Sequence, residues 1–484
     1  MLIVLISGTL ILWVCLAGLV LASLRPNNPM DLTCQAPFPL FTIWMLGLFI
    51  LELTIYTGIS LRWLALGLPA SLPVLTIWAG MAWWMRRHIR PTVEFSTLTL
   101  LIAINLPLTF LVLAMPICEW DARSIWFFHG KIFFYQGHFG FDANVRKALP
   151  FVPHFDYPKG LAAIVALVAT MVGFWNEFLP KIGLLLFQVG LILGVAGLRQ
   201  LSLTVRLGVM AILLASDTEL LYNGYMDGWL AAYCLLGHCY IIAWYRSREP
   251  GDLVAGLLAL ALLPLLKNEG LALAGIGGIA FILSTLLLDQ EALSEAIRTM
   301  LQHLALLLPG TLPTLIWTLC IRCWGLKNDL SIFSTGALER ISSRLVSNAE
   351  WQIYENFFCE EGLTWLYIAA LSFFILSLAY ARISHIRLKA QRRHRFAFCF
   401  PITTAILYGF LLNCIYLLTP QTLEWHIATS GKRIGLPILL LCFQSFLALQ
   451  ELRPTKVKPI QLDLNGQVVL NDMDVVGDSC PGYP

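Results

Sequence analysis

The sequence predicts an all-α polytopic membrane protein. Three observations carry that reading. Of the 484 residues 58% are hydrophobic and only 13% charged, where a soluble domain has about 25% charged. Apolar runs of about 17–25 residues recur along the chain, long enough to cross the hydrocarbon core as helices. The short alternating segments of a membrane β-barrel are absent. The net charge of +3 reflects where loops sit and points to no nucleic-acid partner.

Taken in order, the apolar runs predict about thirteen spans: 2–22, 39–58, 63–85, 95–117, 181–198, 207–221, 229–245, 252–266, 271–288, 300–321, 363–381, 398–418 and 434–450. The first run has no basic residue ahead of it and reads as a retained helix rather than a cleaved signal. Three basic clusters orient the rest: Arg86-Arg87-His88-Ile89-Arg90, Arg246-Ser247-Arg248, and the run from Arg382 to Arg395. Basic loops stay in the cytoplasm. The segment 161–176 breaks the alternation if it spans. Read as re-entrant or interfacial, it restores the charge rule everywhere, with the N-terminus outside and the C-terminus inside. Residues 1–94 read as a peripheral addition, 95–450 as the membrane domain, and 451–484 as a poorly ordered cytoplasmic tail.

The stretch Cys118–Gly160 cannot lie in lipid. It carries Glu119, Asp121, Arg123, His129, Lys131, His138, Asp142, Arg146, Lys147, His154, Asp156 and Lys159, and polar groups are costly in hydrocarbon. The topology puts it outside, with Ser216–Gly228, Lys267–Gly270, Arg322–Gly362 and Thr419–Arg433. Asp217, Glu219, Asp227, Lys267, Glu269, His426 and Arg433 therefore share its membrane face. A carboxylate there suits general-base work on a hydroxyl. Lys and Arg suit a phosphate, as point charge and bidentate fork. The bland readings are an Asp121 pair with Arg123 or Lys131, an Asp227 helix cap, and snorkelling for Lys267. The Trp residues read first as an interfacial belt. The twelve Cys show no metal-ligand spacing; a Cys118–Cys359 bridge stays open.

Trp120-Asp121-Ala122-Arg123-Ser124-Ile125-Trp126, followed by Lys131, resembles the first-loop acidic motif of GT-C glycosyltransferases, multispanning enzymes that use polyprenyl-phosphate-linked sugars. Phe155-Asp156-Tyr157-Pro158 resembles the motif closing that loop in bacterial members. Tyr222-Asn223-Gly224-Tyr225-Met226-Asp227 resembles the second acidic site, and Lys267-Asn268-Glu269-Gly270 a recurrent outer turn. Trp425-His426, Ser430 and Arg433 resemble a motif before the last helix. Here three additional spans precede the loop, which in the family follows the first helix.

The resemblance, to bacterial mannosyl- and arabinosyltransferase-like members, implies inverting sugar transfer from a polyprenyl phosphate to a hydroxyl of a lipid, glycan or protein acceptor at the extracytoplasmic face of the cell (inner) membrane. Asp121 would be the base, with Glu119 and Asp227 beside it. Lys267, Arg433 and His426 would hold the donor phosphate, and Tyr157, Glu269 and His154 the substrate. Mn2+ or Mg2+ remains an option on Glu119, Asp121 and Asp227 if they converge. The alternatives are a lipid-linked glycan ligase or polymerase, kept open by the loop Arg322–Gly362, and a secondary transporter. A transporter would place its ionisable groups near mid-membrane on broken helices.

Overall fold

A computed structural model describes residues 1–23, 40–85, 95–148, 152, 154–199, 201–216, 219–326, 336–348, 351–353 and 392–450. The Arg86–Arg90 cluster, most of the Arg382–Arg395 run, the expected span 363–381, Asp217, Cys359 and the tail 451–484 lie outside the described residues. Among the described residues there is helix and no strand.

The first helices are α1 (Leu2–Ala22), α2 (Leu40–Tyr56), α3 (Leu61–Met85) and α4 (Phe95–Ala114). After the loop helices α5 (Phe127–Gln136) and α6 (Ala143–Ala148) come α7 (Gly160–Val172), α8 (Ile182–Gly197), α9 (Leu203–Ser216) and the short α10 (Glu219–Tyr222). Then follow α11 (Asp227–Ser247), α12 (Pro250–Leu266), α13 (Asn268–Leu288), α14 (Gln290–Gln302), α15 (Leu304–Trp324) and α16 (Ala337–Val346). The described chain closes with α17 (Arg392–Leu418), α18 (Leu423–Ile434) and α19 (Leu436–Gln450). The run expected at 207–221 overlaps α9 and α10.

Among the described residues, seven helices are long and apolar enough to cross a membrane. The outer helices present apolar side chains to their surroundings, such as Trp63, Leu66 and Ile77 on α3, Phe110 on α4, Leu287 on α13 and Leu319 on α15. In water a surface this apolar would drive aggregation; in lipid it matches its solvent. The protein is an all-α, membrane-embedded bundle.

Hydrogen bonds between helices join the interior. Trp44 of α2 donates to the Leu186 carbonyl at 3.0 Å. From α11, Tyr233 and Tyr240 donate to the carbonyls of Phe187 and Gly194, each at 2.8 Å. Gln188 of α8 reaches the Asn105 carbonyl and the Thr109 hydroxyl of α4. Helix α2 is buried along most of its length and packs on α7, α8, α12 and α15. This corrects the reading of residues 1–94 as peripheral: α2 belongs to the centre, and α1 is fastened to it backbone to backbone. A Cβ on Gly18 would overlap the Ile43 carbonyl, and one on Gly47 the Val14 carbonyl. Small residues at both positions permit that approach.

Helix α7 has 13 residues, a rise of about 20 Å against the roughly 30 Å of hydrocarbon. Its start packs on the α12–α13 turn, with Gly160 against the Leu265 carbonyl. It stops at Gly173, whose φ of 91° is open to glycine at no steric cost. The Asn176 side chain then accepts from the amides of Phe178 and Leu179, turning the chain back. Glu177 O accepts from the Ile117 amide at 2.9 Å, and Lys181 donates to the Met115 carbonyl at 3.0 Å. Both ends of α7 are thus tied to the end of the bundle that holds the polar loop.

Gly47→Leu should lower stability by about 1–3 kcal/mol or more through overpacking. Detergent-unfolding midpoints of the purified protein test this, and an unchanged midpoint would contradict the α1–α2 backbone contact.

Candidate active site

The polar loop begins where α4 ends. Residues Ala122–Trp126 form a π-helical turn directly after Asp121. Such a turn inserts an extra residue into the helix and recurs at functional sites. Helix α5 continues from it and ends at Gly137, in the left-handed region with φ 78°. The Gly137 carbonyl accepts from the Leu61 amide at 2.7 Å, which anchors the loop on the α2–α3 corner.

Five elements then converge. Arg433 of α18 forms an ion pair with Asp121 of the loop, and its Nη1 lies 3.7 Å from Asp227 Oδ2 at the start of α11. Its guanidinium stacks 4.5 Å from the centre of the Tyr225 ring. Tyr225 donates to Glu119 Oε2 at 3.2 Å. Behind them Lys267, in the turn between α12 and α13, donates to Asp227 Oδ1 at 2.8 Å and lies 3.3 Å from Glu269 Oε1. The chain of contacts runs Glu119–Tyr225–Arg433–Asp227–Lys267–Glu269, with Asp121 on Arg433.

Exposure separates two layers. The side chains of Asp227 and Lys267 are 1% and 5% exposed, while those of Asp121 and Arg433 are 18% and 19% exposed. The outer pair can meet a substrate. The inner pair is enclosed, and Lys267, expected as a phosphate ligand, is occupied here by Asp227 and Glu269. Burial alone would push the Lys267 ammonium down, but Asp227 and Glu269 hold it well above the usual lysine range. Burial pushes the Tyr225 phenol up; Asp121 and Glu119 raise it further against the opposing pull of Arg433. It remains a donor to Glu119.

His426 lies on α18, buried and edge-on to Tyr416 with ring centres 5.0 Å apart. Burial first, then the charges of Lys267 and Arg344, push its imidazole down to about 4. It is neutral at pH 7 and offers a hydrogen bond but no charge.

The loop's closing turn is held from below. Asn268 donates to Asp156 Oδ2 at 2.7 Å, and Trp317 of α15 donates to the Asp156 carbonyl at 3.2 Å. Lys159 is fully buried, donates to the Tyr157 carbonyl at 2.6 Å and lies 3.1 Å from His129 Nδ1. Burial pushes its amine well below the usual lysine range, partly offset by Asp156. Tyr157 is buried between His154 and Trp126. Its ring, expected to contact substrate, packs within the turn here. His154 is half-buried with φ 56°, a strained conformation for a residue other than glycine.

The ion pair of Asp121 replaces the bland partners the sequence offers: Lys131 sits 3.8 Å from Glu177 instead. Among the described residues no three His, Cys, Asp or Glu side chains group as a metal site. Arg433 already supplies the positive charge between Asp121 and Asp227, so the expected Mn2+ or Mg2+ option does not fit this arrangement. Cys118 is exposed and carries a free thiol. Tyr225, Asp156, Lys159 and Arg344 were not singled out as site residues by sequence reasoning. Tyr225 and Asp156 lie in quoted motifs and Lys159 in the polar stretch Cys118–Gly160; nothing in the sequence marks Arg344. No family model, curated protein or solved structure matches this chain.

Lys267→Met should destabilise the fold by about 3–5 kcal/mol, because it strips the near partner from a buried carboxylate. Asp227→Asn in the same chain should recover most of that loss, and unfolding midpoints of the two variants decide the point. A second expectation concerns acid. The folded His426 pKa lies below the ordinary 6.5, so the unfolded chain binds the extra proton. The stability from neutral His426 is complete above about pH 6.5 and is lost as pH falls toward about 4. His426→Gln should lose less stability than wild type over that window; an identical acid response in both would refute the assignment.

Proposed function

We propose that the protein is an integral membrane glycosyltransferase. It moves a sugar from a polyprenyl-phosphate donor to an acceptor hydroxyl, with inversion, at the extracytoplasmic face of the cell membrane. The observation that carries this reading is the meeting of Asp121 with Arg433 at a half-buried surface, backed by the buried Asp227–Lys267 pair. A carboxylate and a guanidinium side by side suit a reaction in which a hydroxyl loses a proton and a phosphate leaves.

The acceptor oxygen attacks the anomeric carbon as the bond from that carbon to the phosphate oxygen breaks. The hydroxyl proton passes to Asp121, and polyprenyl phosphate departs with the bonding electrons. Arg433 binds the phosphate through Nη1, which it now directs at Asp121, while its Nε and Nη2 stay on the Thr429 carbonyl. Donor binding thereby frees Asp121 to act as base. The neutral His426 supplies a further hydrogen bond. Glu119, Asp121, Asp227 and Glu269 outnumber Arg433 and Lys267, and surplus negative charge favours an oxocarbenium-like transition state. Preorganised charge of this kind is usually the largest catalytic contribution.

Helix α11 supports this orientation. Asp227 opens this helix and Arg246 stands in its last turn, about 30 Å away for 21 residues. Basic residues mark the cytoplasmic side, so the Asp227 end faces out. The gathering of charges at one end of the bundle also favours an enzyme over a transporter.

Asp121→Asn should cut release of radiolabelled sugar from polyprenyl phosphate in membranes by roughly 10²–10⁴-fold, with insertion and unfolding midpoint retained. Transfer at the wild-type rate would sink the assignment.

A further inference from the structure

Helix α16 is an unusual anchor. Its apolar side chains Leu338, Leu345 and Val346 are exposed, while its buried residue is Arg344. The Arg344 guanidinium reaches into the corner between α17 and α18. Nη1 donates to the carbonyl oxygens of Tyr416 at 2.7 Å, Leu417 at 3.1 Å and Thr419 at 2.9 Å. Nη2 donates to the carbonyl of Gln421 at 2.7 Å. One turn earlier, Arg340 Nε donates to the Leu418 carbonyl at 3.0 Å.

The carbonyls of Tyr416, Leu417 and Leu418 are ones that a helix leaves unpaired at its C-terminus, those of Thr419 and Gln421 lie just beyond it, and the negative end of the α17 dipole points at the same place. A buried guanidinium is costly unless its donors are satisfied, and here the corner satisfies them. The consequence falls on α18, which starts at Leu423 and carries both His426 and Arg433. Tyr416, whose carbonyl Arg344 holds, also meets α18 directly. Its hydroxyl lies 3.2 Å from Ser430 Oγ and its ring packs on His426.

We infer that Arg344 is a positioning residue for the site: by closing the α17–α18 corner it sets where Arg433 meets Asp121. Its effect on transfer rests on the glycosyltransferase reading; its effect on geometry does not. Arg344 also contributes charge. The titratable and charged groups facing His426 are Lys267 from the α12–α13 turn, Arg344 from α16 and Tyr416 from α17. Removing the Arg344 charge therefore lets His426 protonate at higher pH.

The test uses full-length protein with the exposed Cys118 and Cys323 changed to Ser and the pair Asp121→Cys and Arg433→Cys introduced. A short bis-methanethiosulfonate reagent then reads the distance between loop and α18 without any activity. Arg344→Gln should slow this cross-link roughly tenfold, in proportion to the loss of charged hydrogen bonds. Arg344→Lys should restore part of it, since an ammonium keeps the charge but not the fork. With Asp121 and Arg433 intact, Arg344→Gln should raise KM for the polyprenyl-phosphate sugar more than it lowers kcat. It should also shift the acid limb of the rate toward higher pH, and Arg344→Lys should not. Cross-linking at the unmodified rate in both Arg344 variants would overturn the proposal. If Arg344→Gln does not fold, the Arg344→Lys cross-link decides. If the wild-type protein transfers no sugar, the functional reading fails while the cross-link still decides the clamp.

Discussion

Arg433 stands between two carboxylates, and the rest of the site is arranged around that fact. It is shared by Asp121 from a loop and Asp227 from a helix start, with an aromatic face beneath it. Two carboxylates facing one another across a partly dry site would repel. One guanidinium nitrogen, Nη1, faces both, while Nε and Nη2 donate to the Thr429 carbonyl. Lys267 takes over the side of Asp227 that Arg433 does not reach. Asp227 is thus hydrogen-bonded through Oδ1, with Oδ2 3.7 Å from Arg433 and in no hydrogen bond, and Asp121 is held by Arg433.

Such an arrangement needs rigid supports, because its members come from five elements. The loop is pinned at its start by the contacts of Ile117 and Met115 with the turn after α7. At its close it is pinned by Asp156, through Asn268 and Trp317. Asn268 follows Lys267 directly, so one tight turn fixes both the buried ion pair and the far end of the loop. Arg344 performs the corresponding task for α18. The polar loop is wet at its surface yet fastened from beneath by buried polar contacts.

The bundle beneath supplies the platform. Helix α2 fills its centre, and α1 lies against it by backbone contact at two glycines. Buried Trp, Tyr and Gln donors join α2, α4, α8 and α11 in the membrane plane. In lipid the hydrophobic effect does not press helices together, so packing and interhelical hydrogen bonds carry the association. The short α7, enclosed among these helices, returns the chain to the end from which it came.

Much of this was legible in the amino-acid order. Apolar runs of spanning length report a membrane helix bundle because lipid tolerates little else. The concentration of charge from Glu119 to Lys159 reports a segment excluded from lipid. Asp121, Asp227 and Arg433 stand out because charge is scarce elsewhere. What sequence could not supply was adjacency. Lys432 and Arg433 are neighbours in the chain, but a helix turns about 100° per residue, so Lys432 is exposed while Arg433 reaches the site. Tyr157 and Lys159 look like loop residues until packing encloses them, and residues 1–94 look detachable until α2 is seen in the core. Composition and hydrophobic length, which depend on each segment and its solvent, determined the class of protein and the wet loop. Only the tertiary structure decided which charges neutralise one another, because that depends on distances across helices that share no sequence neighbourhood.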